Sequence, residues 1–314
     1  MEVVHIPVLL EETLKYLAPR KAGELMIDAT VGEGGHSFAF LSQFQELKLI
    51  GIDADPEIIK IAQKRLEHFG ERVQFYNGWS HDFFTEYPEK YKRPDTILID
   101  LGVSLFHYEK SGRGFSFRYD EKLDMRIDSS SGLSAADLID RLSEKDFADL
   151  LFANGEERYS RRIAAAIGEV KSNAPINSSA VLAEIVEKAV PPAYRHGPIH
   201  PATRTFQALR IAVNGELSRL PGLLEAAFRI LEPGGRLGVI SFHSLEDRIV
   251  KNFLREKNRD CICPQEAPIC KCGGQRELEI LAKRGISPGE EEIRKNPPSR
   301  SARFRVAEKI LDEV

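Results

Sequence analysis

The chain has 314 residues, 42% of them hydrophobic and 29% charged, with a formal net charge of −4. This is the make-up of a soluble globular protein, long enough for one large domain or two modest ones. No apolar run approaches the ~18 residues of a bilayer-spanning helix, and Met1-Glu2-Val3-Val4-His5 has no basic region ahead of an apolar stretch, so a cytoplasmic protein without membrane contact is expected. The net charge does not advertise nucleic-acid binding, although a partner feels the nearby field rather than the sum.

In chain order, the first strand is predicted at Leu25–Ile27 and ends at Asp28. A turn rich in glycine (Gly32, Gly34, Gly35) follows, and Phe38, Phe40 and Leu41 open a helix. The second strand, Leu47–Ile52, ends in Asp53-Ala54-Asp55-Pro56. Strand, tight loop, helix, strand and acid make a nucleotide-binding α/β half. Glycines let backbone approach a ligand, and the acid after the second strand can hold two ribose hydroxyls. The ligand is not marked as a dinucleotide. Counting from Gly32, the third glycine of G-x-G-x-x-G falls on Ser37, and no lysine supplies a Walker loop. Asp28 would repel a phosphate and welcome a cation. S-adenosylmethionine carries adenosine, a sulfonium and an ammonium but no phosphate, and suits the turn best. A dinucleotide or a turn without a ligand stays open.

Pro56 opens a helix over Glu57–Phe69, and strands follow at Val73–Tyr76 and Thr96–Ile99. The alternation indicates α/β architecture with a parallel sheet. Asp100 ends the fourth strand. It can accept a hydrogen bond from an amine, which matters because the exocyclic amine of a base is a poor nucleophile and needs its N–H groups held while the nitrogen pyramidalises. It can equally cap the following turn.

From about Ser111 to Leu209 no strand is legible. Helices are expected at Ala135–Leu142, Glu144–Ala153, Glu157–Val170, Ser179–Val190 and Thr203–Leu217, with Ser134/Asp137 and Ser143/Asp146 as cap-and-acid starts. After a further helix at Leu223–Leu231, strands return at Arg236–Phe242, Glu277–Leu281 and Arg303–Ala307. The organisation is one α/β domain over 1–110 and 210–314, interrupted by a helical insert over 111–209 that can wall a substrate cleft.

Several side chains are candidates for substrate contact: Arg113, Phe115 and Arg126 in a polar, aromatic loop, Arg204 before a helix, and His243 after the late strand. Each has a plain structural alternative, such as an aromatic pinning a loop to the core. Arg300, Arg303 and Arg305 could form a basic strand face or a solvated one. Cys261, Cys263, Cys270 and Cys272 offer four thiolates for zinc, but each pair is separated by one residue rather than the usual two to four, so a redox pair or buried thiols stay open.

These segments resemble the bacterial ribosomal RNA small subunit methyltransferase H family, also called MraW, over essentially the whole chain. The resemblance rests on the His5–Leu10 segment, Gly32–Ser37, Asp53–Pro56, Asp100–Ser104, Arg113–Phe117, Leu123–Arg126, Gly155–Arg158, His200–Arg210, Pro233–Arg236 and Ser241–Lys251. It implies a class I (Rossmann-like) S-adenosylmethionine-dependent methyltransferase sheet with an inserted all-helical domain that recognises RNA. The implied activity is N4-methylation of one cytidine in the decoding region of 16S ribosomal RNA. The implied partner is the small ribosomal subunit, with a homodimer left open. Family cofactor positions fall on Gly34, Gly35, His36, Asp53, Asp100 and His107, the last often Gln elsewhere in the family. An aromatic contact falls on Trp79, where Phe is more usual. The family gives the cysteines no metal role. A non-catalytic ribosome assembly factor, or an amino-methyltransferase acting on another nucleic acid, is the competing reading.

Overall fold

A computed structural model describes residues 7–130, 132–197, 199–261 and 274–310. Cys263, Cys270 and Cys272 lie outside the described residues, and with them the zinc expectation; Cys261 is exposed. The chain opens with α1 (Leu10–Tyr16), β1 (Leu25–Asp28), α2 (Gly35–Gln43), β2 (Lys48–Asp53), α3 (Pro56–Leu66), β3 (Val73–Asn77), α4 (Ser80–Thr85) and β4 (Thr96–Asp100). Helices alone follow: α5 (Leu105–Glu109), α6 (Ala135–Arg141), α7 (Glu144–Gly155), α8 (Ser160–Lys171), α9 (Ser179–Ala189), α10 (Pro192–Arg195) and α11 (Thr203–Asn214). The last stretch holds α12 (Glu216–Ile230), β5 (Arg236–Ser241), α13 (Ser244–Lys257), β6 (Leu278–Ile280), α14 (Glu290–Lys295) and β7 (Arg303–Lys309). Among the described residues no helix is long and apolar enough to cross a membrane.

The contacts divide the chain into two units, one up to Gly102 and from Leu217 onward, the other Val103–Glu216. The first unit is a seven-stranded sheet in the order β3-β2-β1-β4-β5-β7-β6. β1 to β5 run parallel, and β7 lies antiparallel between β5 and β6. Because β1 pairs with both β2 and β4, the order reverses there and leaves a crevice at the strands' carboxyl ends, where open α/β sheets bind ligands.

Both sheet faces are covered, which explains the continuous apolar runs of the central strands. Leu25, Ile27, Ile97, Ile99, Leu237 and Val239 form one core with Leu224 and Phe228 of α12 and Val250 of α13. Alternate strand residues point the other way. Met26, Leu49, Leu98 and Ile240 meet Phe40 of α2 and Ile59, Ala62 and Leu66 of α3. Full burial of each such side chain is worth about 1.5–3 kcal/mol.

The second unit packs α7 against α8 and α11, with Phe147, Leu151, Ile163, Ile167, Leu182, Val186, Phe206 and Leu209 at its centre. Ser134 and Asp137 close a capping box on α6, and the Ser143 hydroxyl accepts from the Asp146 N–H at the start of α7. The unit reaches further than 111–209. The His107 ring lies 5.0 Å from Phe115, and Arg210 donates to the Tyr108 hydroxyl at 2.8 Å and pairs with Glu216 at 2.9 Å.

Element ends differ from the sequence reading for identifiable reasons. α3 stops at Leu66 and gives way to a 3-10 stretch, Glu67–Arg72, bent at Gly70. α8 starts at Ser160 rather than Glu157, because the fully buried Glu157 carboxylate accepts from the Tyr159 N–H at 2.8 Å and the Tyr194 hydroxyl at 2.9 Å. The break expected between Leu217 and Leu223 falls at Gly215, whose φ of 62° ends α11; α12 then begins at Glu216 and runs through Pro221. The five helices without a sequence counterpart, α1, α4, α5, α10 and α14, are too short to show periodicity.

Candidate active site at the carboxyl edge of the sheet

The adjacent strands β2, β1 and β4 end in Asp53, Asp28 and Asp100, so three carboxylates share one sheet edge. Asp53 Oδ2 accepts from the Gly32 N–H at 3.1 Å, which ties the glycine turn to β2, and its Oδ1 accepts from the Asp55 N–H at 2.9 Å. The Asp55 carboxylate instead caps α3, accepting from the Glu57 N–H at 2.9 Å. Of the two acids after β2, then, the first faces the turn and the second holds a helix.

The turn needs its glycines. Gly34 stands at φ 78° as the N-cap of α2, and a Cβ on Gly35 would come within 2.6 Å of the Pro7 ring. Arg65 of α3 secures the turn from behind by donating to the Glu33 carbonyl at 3.2 Å.

Asp28 is buried (1% exposed) and accepts from the Ser37 hydroxyl at 2.6 Å. Burial pushes its carboxyl up to about 6, with a smaller contribution from the charge of Asp53, against the lowering effect of Ser37 and the Thr30 N–H. The Thr30 hydroxyl accepts from the Asp100 N–H at 2.7 Å and so links the ends of β1 and β4. Asp100 Oδ1 is buried and has no hydrogen-bond partner among the described residues. Burial, then the charges of Asp28 and Glu246, push the Asp100 carboxyl well above the usual range. The buried His36 ring bridges the end of β4 and the start of the chain: Nε2 is 3.0 Å from the Val8 carbonyl, and Nδ1 is 3.7 Å from Asp100 Oδ2.

After β5, His243 is the N-cap of α13, and its Nδ1 accepts from the Glu246 N–H at 3.4 Å. The buried Glu246 carboxylate returns to the Phe242 N–H at 2.8 Å and lies 3.2 Å from His243 Nε2. After β3, Trp79 is the N-cap residue of α4, and the next residue, Ser80, donates its hydroxyl to the Ala29 carbonyl, holding that corner against the β1 turn. The Arg219 guanidinium of α12 stacks over the indole, 4.3 Å from the ring centre.

Gly34, Gly35, His36, Asp53, Trp79, Asp100 and His243 thus lie along one edge of the first unit. The edge is rich in acid, and the charged groups that raise Asp28 and Asp100 are all carboxylates. A phosphate would be repelled there. The edge offers groups that suit a cationic adenosine ligand: the Asp53 carboxylate beside the glycine turn, the aromatic ring of Trp79, and an Asp100 oxygen without a donor among the described residues.

The remaining candidates belong to the second unit. His107 sits in α5, 3% exposed. Arg113 donates to the carbonyls of Arg126 at 3.0 Å and Ile127 at 2.7 Å, which folds its own loop. Phe115 is 4% exposed inside the helical core, so the expected stacking on a base is replaced by packing. Arg126 pairs with Asp124 at 2.7 Å, and Arg204 donates to the Glu156 carbonyl at 2.6 Å, where the sequence offered it an anion. In the sheet unit, Arg305 is likewise no open basic face: it is 7% exposed and paired with Asp247 at 2.7 Å. Sequence reasoning missed Thr30, Ser37, Arg219 and Glu246 at the site. Only Glu246 left a signal, an acid three residues after His243 at a helix start.

The sequence profile of the MraW methylase family matches residues 2–310. The chain is 57% identical over 310 residues to the ribosomal RNA small subunit methyltransferase H of Treponema denticola, covering 99% of this chain and 98% of that one. It is 43% identical over 350 residues to the protein of the same name in Treponema pallidum, covering 97% and 92%. Among solved structures, an rRNA methylase of Streptococcus thermophilus is similar with a TM-score of 0.44 at 11% identity, covering 98% of this chain and 100% of that one.

Proposed function

The chain belongs to the MraW methylase family, and from that premise we propose that it transfers a methyl group from S-adenosylmethionine to N4 of a cytidine in the decoding region of 16S ribosomal RNA, in the cytoplasm. The observation that carries this reading is the acid edge at the switch point, with Asp100 Oδ1, buried and unpartnered among the described residues, at its centre. It is an edge built for a cationic nucleoside and an amine, and it is supported by relatives named for methylation of small-subunit RNA.

When bound, S-adenosylmethionine supplies a methyl carbon activated by a sulfonium. Asp53 holds ribose hydroxyls while keeping the Gly32 N–H. Gly34 and Gly35 bring backbone close to the nucleoside, and the Trp79 ring, backed by Arg219, stacks on adenine. Asp28 and Asp100 balance the positive charge. Asp100 also accepts an N–H of the cytosine amine, which turns the nitrogen lone pair out of ring conjugation and toward the methyl donor. No base is needed to remove that proton beforehand, because the amine becomes acidic once methylated. The helical unit is read as the part that recognises the RNA.

The test is transfer of labelled methyl from S-adenosylmethionine to small ribosomal subunits from cells that lack the enzyme, followed by digestion and identification of the nucleoside. N4-methylated cytidine at a decoding-region position is the expected product. Binding to subunits without turnover would leave an assembly factor, and label in another nucleoside would leave a different amino-methyltransferase.

A further inference from the structure

We propose that the exposed imidazole of His200 is a stacking platform, in the helical unit, for one unpaired RNA base other than the reacting cytosine. The proposal rests on the RNA reading above and deepens it, by naming a substrate-binding side chain and the part of the RNA that it takes.

Three rings lead from the core of that unit to its surface. Phe206 of α11 is buried and belongs to the apolar centre of the unit. Phe117, in the loop after α5, meets it edge to face, with ring centres 5.2 Å apart and planes at 78°. His200, in the segment before α11, lies on Phe117 with ring centres 4.4 Å apart and planes at 23°. Phe117 is half-buried and His200 is exposed, so the ladder ends in a ring that solvent reaches.

The outer ring is also held at one edge. The Ala202 N–H donates to His200 Nδ1 at 3.2 Å, which leaves the ring hydrogen on Nε2. Phe117 covers one face and Ala202 the Nδ1 edge, so the exposed area falls on the opposite face and the Nε2 edge. A flat π surface fixed before its ligand arrives costs little ordering on binding. It accepts any base, because every base has a π face. Next in the chain to Phe117 come Arg118 and Tyr119, both exposed, and Arg118 makes no ion pair among the described residues. Aromatic surface with a cation alongside is what single-stranded RNA uses, stacking for the base and charge for the phosphate. The reacting amine belongs to the acid edge of the first unit, so the base on His200 is a different one.

Two substitutions separate the ring face from its hydrogen bond. His200→Phe keeps the face and loses the acceptor for Ala202, whereas His200→Asn keeps an acceptor and loses the face. Binding of the intact chain to a labelled single-stranded RNA of mixed sequence is read by fluorescence anisotropy over a salt series, and circular dichroism confirms each fold. His200→Asn should weaken binding by about 5- to 150-fold, the range for one base–aromatic stack, with the slope of log affinity against log salt unchanged. His200→Phe should bind like the unsubstituted chain. With small ribosomal subunits as substrate, His200→Asn should raise KM and leave kcat in place. Binding retained in His200→Asn overturns the proposal, as does a loss in His200→Phe equal to that in His200→Asn. A shallower salt slope in His200→Asn also overturns it, because His200 would then act as a cation on phosphate. So does an unsubstituted chain that binds subunits but not the free RNA, since the occupant would then be protein. If the unsubstituted chain binds neither, the RNA reading of the helical unit itself fails.

Discussion

At the carboxyl edge of the sheet, polar side chains are buried ahead of their partners: Asp100 Oδ1 has no hydrogen-bond donor among the described residues, and Asp28 and Asp100 are both held above the usual carboxylate range. In the helical unit three candidate arginines are engaged with their own surroundings: Arg113 with two carbonyls of its loop, Arg126 with Asp124, Arg204 with Glu156. The edge keeps an electrostatic debt that a ligand can settle, whereas these three arginines are already engaged within their own unit. The expected outcome is that substitutions at the acid edge act on binding and a substitution at Phe115 acts on stability.

Four measurements can break or sharpen that contrast. The largest effect is expected from Phe115→Ala, which should destabilise the helical unit by about 3–5 kcal/mol while leaving cofactor affinity unchanged. Thermal melts with and without ligand check it, and a selective loss of affinity would break the contrast. Asp100→Asn should lower methyl transfer by about 10²–10³-fold, near 3–4 kcal/mol, with cofactor affinity changing less than tenfold. Single-turnover rates and calorimetry separate the two, and a loss confined to affinity would make Asp100 a cofactor contact only.

Asp28 gives a pH signature. Its folded value of about 6 lies above the ordinary 3.8, so between those values the folded chain binds more protons than the unfolded one. The stability from Asp28 is thus present at low pH and lost as pH rises through this window, amounting to about 3 kcal/mol. Asp28→Asn should shrink the fall in ligand-free stability between pH 4 and pH 7 by about that much, as read by denaturant titration. The smallest effect is expected from Asp53→Ala, which should weaken S-adenosylmethionine binding by roughly 1–3 kcal/mol through loss of a ribose partner. Unchanged affinity in calorimetry would remove that role.

Much of the sheet was legible because its signals are local. An apolar run ending in an acid marks β1, β2 and β4, and the glycine turn lies between two of them in sequence. Whatever depends on partners far apart in the chain stayed hidden. Arg219 reaches Trp79 from α12, and Glu246 reaches Asp100 from α13, by tertiary packing that no window of sequence displays. Arg305 misled for the same reason, since a cation in a polar stretch reads as exposed until its burial is known, and for Phe115 burial favours the packing alternative over stacking on a base. The gap expected between Leu217 and Leu223 is absent because α12 runs through it with Pro221 internal, while Gly215 supplies the true break.

The order of strands has a consequence for synthesis. β4 borders β1 on one side and β5 on the other, and the whole of Val103–Glu216 is translated between β4 and β5. The excursion is complete and able to condense while the strand before it still shows a bare row of N–H and C=O groups. A nascent chain stalled just after α11 would present that ladder to its neighbours, so prompt translation of β5 guards this protein against aggregation.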